Sequence, residues 1–289
     1  MTPEEFHAGR RFAATPFGRI AYVERGSGPV ALFVHGLPLC GYQWRGQLDD
    51  LAPQRRCIAL DLMGLGYSQV GAQQQVTLGT QAQMVAAFLD ALNIERADLV
   101  GNDTGGGVCQ IFAARHPARA RSLSLTNCEV HDLWPNALLT AFYQGVAAGA
   151  FGELMQQMLG DVGLARQQLA IAYEQAGALS PQDLQVHLQP LAASAERLEL
   201  FRKFSNWADS RAELVDAAPR LQASGIPAQV IWGEADVIFD TAPSLAWLRG
   251  NLGGLRKLTT VPRAMLFFPE EHPRLVSTVL RAFWEECSA

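Results

Sequence analysis

The hydrophobic and polar positions of the chain follow two alternating periods. Short runs that are apolar at every position, such as residues 30–34 and 97–100, are typical of strands buried on both faces of a parallel sheet. Residues 77–92 instead carry apolar side chains three and four positions apart, which favours a helix capped near Thr77. Because strands and helices alternate, the pattern predicts βαβ units and a parallel sheet.

Eight segments have the pattern of strands. Residues 11–15 and 19–25 flank the turn Pro16-Phe17-Gly18 and predict an antiparallel hairpin. The other six strands are predicted at 30–34, 57–60, 97–100, 122–126, 228–232 and 255–259. From residue 132 to residue 217 the patterns are helical, without a convincing strand. We therefore expect a core of residues 1–131 and 218–289, and a helical cap of residues 132–217 inserted after the sixth strand. The cap would cover the carboxyl ends of the strands, where ligands bind in such sheets.

The composition is that of a globular protein. Hydrophobic residues make up 49% of the 289 positions and charged residues 18%. A net charge of -5, without a long basic run, argues against nucleic-acid and membrane partners. The five cysteines are scattered and form no C-x-x-C pair, so neither a disulfide framework nor a zinc site is indicated. We expect a cytoplasmic monomer or homodimer that acts on a small molecule without a cofactor or metal.

The stretch 99–107, Leu-Val-Gly-Asn-Asp-Thr-Gly-Gly-Gly, joins a predicted strand to a predicted helix. Small residues around a central nucleophile are typical of a nucleophile elbow, a turn so sharp that larger residues would collide. Asp103 occupies the position of the nucleophile. A carboxylate is ionised at pH 7 and can attack carbon without the help of a base. The alternative is a glycine-rich turn in which Asp103 only caps the helix.

Two further motifs follow predicted strands. The loop His35-Gly36-Leu37-Pro38 is typical of an oxyanion hole, whose two backbone amides would come from Leu37 and Thr104. His35 is expected to hold this loop and is also a candidate for the pocket wall. Asp236 ends a G-x-x-D sequence after residues 228–232, where an acid that orients a catalytic histidine is expected. A loop-capping role is the alternative for Asp236.

With a D-x-x-G-x-G-x-S loop at 61–68, these motifs resemble the α/β-hydrolase superfamily over essentially the whole chain, and most closely its haloalkane dehalogenase and epoxide hydrolase branch. The resemblance implies an α/β-hydrolase fold: a mostly parallel eight-stranded sheet flanked by helices, with a helical cap. It also implies that Asp103 forms an alkyl ester with a substrate carbon, which a histidine-activated water then hydrolyses.

The chain departs from that branch at the leaving group. Thr104 and Leu37 stand where the dehalogenases usually hold the halide with Trp or Asn side chains, so halide binding would pass to Trp134 or Trp207. For an epoxide, Tyr143 and Tyr173 on predicted cap helices are candidate proton donors. Packing within the cap is the alternative for both tyrosines.

The larger departure concerns the base. Residues 267–273, aligned on the family pattern G-H-F-x-x-x-E-x-P, place Leu266 where the catalytic histidine belongs. Leucine cannot accept a proton. Candidate replacements are His131 and His272, with Glu129 as an alternative acid. Three functions remain open: a hydrolase with an aspartate nucleophile, a binding protein that has lost turnover, and a lyase or isomerase in which Asp103 is a general base.

Overall fold

A computed structural model describes residues 1–288 and contains one eight-stranded sheet in the order β1-β2-β4-β3-β5-β6-β7-β8. Strand β2 is antiparallel to β1 and β4, and every other pair is parallel. The strands are β1 (Arg11–Thr15), β2 (Gly18–Arg25), β3 (Val30–Val34), β4 (Arg56–Leu60), β5 (Ala97–Asn102), β6 (Ala120–Thr126), β7 (Ala228–Gly233) and β8 (Leu255–Val261). The predicted α/β-hydrolase fold is confirmed.

Thirteen α-helices accompany this sheet among the described residues. They are α1 (Pro3–Ala8), α2 (Arg45–Leu51), α3 (Leu78–Ala91), α4 (Thr104–Arg115), α5 (Ala137–Ala147), α6 (Ala150–Gly160), α7 (Val162–Leu169), α8 (Pro181–Leu188), α9 (Ala195–Arg202), α10 (Trp207–Ser224), α11 (Thr241–Asn251), α12 (Phe268–Glu271) and α13 (Pro273–Ser288). The Thr77 hydroxyl caps α3 by accepting the N–H of Thr80, as its sequence predicts. The helical segment at the end of the described chain is broken at His272, because Pro273 disfavours helical backbone in the residue before it.

Both faces of the central sheet are buried. Along β3, Leu32 and Val34 point into the core that contains α3 and α4, whereas Ala31 and Phe33 point into the core that contains α2 and α13. This alternation follows from the two-residue period of a strand and explains why all five positions of β3 are apolar. The sheet is therefore a rigid platform for the loops at its carboxyl edge.

The chain changes direction across the sheet between β3 and β5. From β3 it runs to β4 on one side, and then crosses back to add β5 on the other side. The loops that leave β3 and β5 consequently start side by side, with Val34 paired to Gly101. Such a switch point is where ligands bind in open α/β sheets.

Six helices, α5 to α10, lie between β6 and β7. The last of them, α10, packs along α3 and α4 of the core. We therefore group α10 with the core, so that the cap ends before Trp207 rather than at residue 217. Among residues 1–288, none of the helices combines the length and apolar character needed to cross a bilayer.

A buried polar cluster joins the cap to the core. Glu270, at the start of the terminal helices, pairs with Arg45 of α2 and lies 3.1 Å from Nε2 of the cap residue His187. Its second oxygen accepts the Tyr173 hydroxyl at 2.6 Å. Burial raises the pKa of Glu270, but Arg45 and His187 outweigh it and bring that pKa down to about 2. Tyr173, a candidate proton donor for an epoxide, instead has its hydroxyl bound to Glu270 and helps to hold the cap against the core.

Candidate active site

Asp103 lies at a sharp turn between β5 and α4. Its backbone angles are φ 53° and ψ -132°, a left-handed conformation that is strained for a residue with a side chain. The turn is possible because its neighbours are glycines. A Cβ on Gly105 would lie 2.1 Å from the Val34 carbonyl oxygen, and one on Gly101 would lie 2.4 Å from the Gly105 oxygen. The sequence thus folds into the predicted elbow, with Asp103 at its apex.

The loop after β3 reaches the Asp103 carboxylate. The Leu37 N–H donates a hydrogen bond to Oδ2 at 2.7 Å, and the Thr104 N–H also favours the ionised carboxylate. Gly36 permits this approach, since a Cβ there would lie 2.6 Å from Oδ2. The predicted oxyanion-hole amides therefore face the predicted nucleophile. The Leu37 amide thus fixes the position of Oδ2.

Three amide side chains that the sequence analysis did not single out hold these loops together. Gln43 accepts the Gly36 N–H at 3.1 Å and donates to Asn102 Oδ1 at 2.6 Å. Asn102 in turn donates to the Leu266 carbonyl oxygen at 3.0 Å. The Asn127 side chain accepts the Gly233 N–H at 2.7 Å and donates to the Gly233 carbonyl oxygen at 3.0 Å, and its backbone carbonyl oxygen accepts the Asp103 N–H at 2.7 Å. The only feature of the sequence that could have indicated these three residues is their position next to the motifs.

Asp236 is also close enough to influence Asp103. Its Oδ2 accepts a hydrogen bond from Asn127 Nδ2 at 2.7 Å and its Oδ1 accepts the Ile238 N–H at 2.8 Å. Burial raises the pKa of Asp236 to about 6, despite these donors. Among residues 1–288 its side chain bonds to no histidine, so its predicted task of orienting one has no partner here.

Glu129 is the third carboxyl group of the site. Its side chain is 1% exposed, and its Oε1 accepts the Thr104 hydroxyl at 3.3 Å. Burial raises the pKa of Glu129 to about 7. Burial also raises the pKa of Asp103 well above its usual range, and the charge of Glu129 adds to this more than that of Asp236 does. The two carboxyls titrate as a pair that holds a proton near neutral pH.

The cap contributes Tyr143, from α5. This side chain is 5% exposed, and burial raises the pKa of its hydroxyl. The charges of Glu129 and Asp103 raise that pKa further, which places the ring near both carboxyls. Of the two predicted cap tyrosines, the structure brings only Tyr143 towards the site.

No histidine hydrogen-bonds to Asp103 within the described part of the chain. His131, a candidate base, has φ 50°, stacks on Trp247 at 4.9 Å and bonds to Asp132. His272 lies 3.2 Å from Glu174. The recorded partners of both candidate bases are therefore Trp247, Asp132 and Glu174, and neither ring is bonded to Asp103. The remaining histidines are also engaged elsewhere: His7 with Arg10, His35 with Gly36 and Leu62, His116 with Phe112, and His187 with Glu270.

Leu266, at the position where the family has its histidine, is 3% exposed. Its carbonyl oxygen bonds to Asn102, the residue before Asp103, so its backbone lies beside the elbow. The histidine is thus missing at a position that the fold still presents to the site.

The other candidate pocket residues differ in the contacts that the structure gives them. The Nε2 of His35 accepts the Leu62 N–H while Nδ1 lies 2.9 Å from the Gly36 oxygen, and burial lowers the pKa of His35 to about 4. His35 therefore braces two loops as a neutral ring and is corrected as a pocket residue. Trp207 starts α10 with the guanidinium of Arg211 over its ring, and no contact brings it to Asp103. Trp134 is 3% exposed, and its Nε1 has no hydrogen-bond partner within residues 1–288.

These features define a protein class. The sheet, the elbow and the amide-lined loop are those of α/β hydrolases, and the sequence profile described as "alpha/beta hydrolase fold" matches residues 29–259. The chain belongs to this family.

Its similarity to individual relatives is narrower. The chain is 40% identical over 105 residues to a 2-hydroxymuconate semialdehyde hydrolase of Pseudomonas sp. (strain CF600), covering 35% of this chain and 37% of the relative. It is also 40% identical over 107 residues to a haloalkane dehalogenase of Mesorhizobium japonicum, covering 36% and 34%. The aligned regions thus span about a third of the length of each curated relative.

Solved structures match over nearly the whole chain. The haloalkane dehalogenase DbeA from Bradyrhizobium elkani superposes with a TM-score of 0.80 at 22% identity, over 96% of this chain and 98% of that one. The epoxide hydrolase CorEH superposes with a TM-score of 0.78 at 23% identity, over the same two shares. The resemblance to this branch is confirmed at the level of the fold and of partial sequence similarity.

Proposed function

We propose that this protein is a cofactor-independent hydrolase in which Asp103 attacks a carbon atom of a small, largely apolar molecule and forms a covalent ester. The observation that carries the proposal is the Asp103 carboxylate itself. It lies at the apex of a strained elbow, with Oδ2 held at 2.7 Å by the Leu37 amide. The same amide would stabilise the oxyanion that forms when water attacks the ester.

The relatives support a haloalkane or an epoxide as substrate class. Both reactions displace a leaving group from carbon by a carboxylate, and neither needs a base in the first step. The burial of Asp103, at 6% exposure, removes water that would otherwise solvate the carboxylate. Tyr143 of the cap, whose pKa is raised by burial and by the charges of Glu129 and Asp103, would help to orient the substrate.

A second candidate is proton abstraction by Asp103. Burial raises the pKa of this carboxyl, and a raised pKa makes a carboxylate a stronger base. In that case the enzyme would be a lyase or an isomerase and would form no ester.

Intact-protein mass spectrometry separates these functions. The wild type, Asp103→Asn and the exposed control Asp216→Asn are incubated with 1-bromoalkanes and 1,2-epoxyalkanes, and samples are acid-quenched from milliseconds to hours. We expect an alkyl adduct, product, or both from the wild type and from Asp216→Asn, and neither from Asp103→Asn. Hydrolysis that persists in Asp103→Asn would refute the proposal that Asp103 is the nucleophile. Turnover of a carbon acid that depends on Asp103 but never yields an adduct would favour proton abstraction.

A further inference from the structure

The Glu129 carboxyl has a buried oxygen, Oε2, that accepts no hydrogen bond of ordinary geometry within residues 1–288, although the backbone amide of Gly107 favours the ionised carboxyl. It follows β6 and lies over the first turn of α4, where a Cβ on Gly107 would be 3.2 Å from Oε2. Oε1 accepts the Thr104 hydroxyl, but no ordinary hydrogen bond reaches the fully buried Oε2. An unpartnered buried carboxylate oxygen is unfavourable for folding, and such groups usually serve a function.

The surroundings of this carboxyl are those of the reaction centre. Thr104 directly follows Asp103 and bonds to Glu129 through its side chain. Leu266 supplies no base, and no histidine of residues 1–288 hydrogen-bonds to Asp103. Asp236, whose pKa burial raises to about 6, is the other carboxyl near Asp103, but both of its oxygens already accept hydrogen bonds, from Asn127 Nδ2 and the Ile238 N–H. Tyr143 and Cys128, which also lie near the pair, both have pKa values raised by burial and by the charges of Glu129 and Asp103, and so stay protonated.

Resting on the function proposed above, we propose that Glu129 is the proton carrier of the reaction, acting first as an acid on an epoxide oxygen and then as the base that activates water. This role differs from orienting a histidine, because Glu129 exchanges protons with the reactants directly. It also favours an epoxide over a haloalkane, since an alkoxide leaving group needs a proton and a halide does not.

The proton and electron balance closes over one cycle. Oδ1 of Asp103 forms a bond to an epoxide carbon while the carbon–oxygen bond of the ring breaks, and the released alkoxide takes the proton of Glu129. Water then adds to the ester carbonyl and gives one proton to the Glu129 carboxylate. Collapse of the tetrahedral intermediate expels the second alkoxide, which takes the other water proton. The products are a diol, ionised Asp103 and protonated Glu129.

Charge coupling sets the order of these steps. The two negative charges repel each other, so ionisation of one carboxyl disfavours ionisation of the other. In the proposed cycle Asp103 is the ionised member before the attack and Glu129 carries the proton. Esterification removes the charge of Asp103, so the repulsion ends and the pKa of Glu129 falls. Glu129 is therefore an acid before the attack and a base after it.

The experiment compares Glu129→Gln with the wild type on a 1,2-epoxyalkane and a 1-bromoalkane of equal chain length. We expect Glu129→Gln to form diol about 10²–10⁴-fold more slowly. It should nevertheless accumulate a stable alkyl adduct with the bromoalkane, whose leaving group needs no proton. That adduct also reports that the variant is folded and that Asp103 is competent. Glu234→Gln, at an exposed position, is the matched control and should behave as the wild type does.

The pH dependence adds a readout that a structural role would not change. The adduct decay rate should rise with pH through the pKa of Glu129 in the wild type and should be flat in Glu129→Gln. Diol formation by Glu129→Gln at the wild-type rate would overturn the proposal, as would loss of adduct formation with the bromoalkane in this variant alone. An equally long-lived adduct in the wild type would also overturn it. Activity that survives Asp103→Asn would instead refute the nucleophile on which the proposal rests.

Discussion

Replacing Glu129 by Gln is expected to stabilise the folded protein above pH 7 and to change its stability little near pH 4. Burial raises the pKa of Glu129 from its ordinary 4.5 to about 7. Between these two pH values the folded state keeps a proton that the unfolded state has lost, so stability falls as the pH rises through this range. Above a pH of about 7 this loss of stability is complete. About 2.5 pH units correspond to about 3 kcal/mol of unfolding free energy.

The assay is urea unfolding of the wild type, Glu129→Gln and Glu234→Gln at several pH values between 4.5 and 8. The useful quantity is the stability difference between Glu129→Gln and the wild type as a function of pH. A lost hydrogen bond to Thr104 shifts this difference by about 1 kcal/mol at every pH and cancels in the comparison. A difference that stays constant from pH 4.5 to pH 8 would refute the reasoning, because it would mean that folding does not change the pKa of Glu129.

Three other substitutions, together with Gly145→Ala as a control, test the architecture of the site, each by urea unfolding and by activity. Gly105→Ala should destabilise the protein by about 1–3 kcal/mol and abolish activity, because its Cβ would collide with the Val34 carbonyl. Gly145 has open space around it, so Gly145→Ala should instead stabilise α5 by about 1 kcal/mol. Glu270→Gln should cost about 3 kcal/mol, because it leaves the Arg45 guanidinium without this buried counter-charge, and should loosen the cap towards proteolysis. Asn127→Ala should lower the free energy of unfolding by about 1–3 kcal/mol. It should also shift the acid limb of the pH–activity profile to higher pH, because Asp236 loses a hydrogen-bond donor that favours its ionised form. Unchanged stability in any of these variants would contradict the corresponding contact.

The buried carboxyls of the site also lower the free energy of unfolding at neutral pH. Asp103, Glu129 and Asp236 are all buried, with pKa values raised above their usual ranges. Each therefore opposes folding at neutral pH. A protein under no functional constraint would gain stability by replacing them with neutral residues, which agrees with a site kept for its chemistry.

Local sequence determined much of the structure. Apolar runs such as residues 30–34 could only be strands buried on both faces, and the Pro16-Phe17-Gly18 turn fixed the first hairpin. The elbow was readable because its geometry requires glycines at fixed spacing around Asp103, and this requirement is met within nine residues of chain. The absence of a histidine at residue 266 was likewise visible, since a leucine there can take no part in proton transfer.

The tertiary structure decided which of the candidate side chains meet. His131 and Tyr173 were reasonable candidates by position, but the direction of a side chain depends on backbone angles and on partners far away in sequence, here Trp247 and Glu270. In the same way, the pKa of Asp103 is raised by burial and by the charge of Glu129, 26 residues later in the chain. Sequence patterns encode local periods and turns, whereas contacts and electric fields between loops exist only once the strands have brought those loops together.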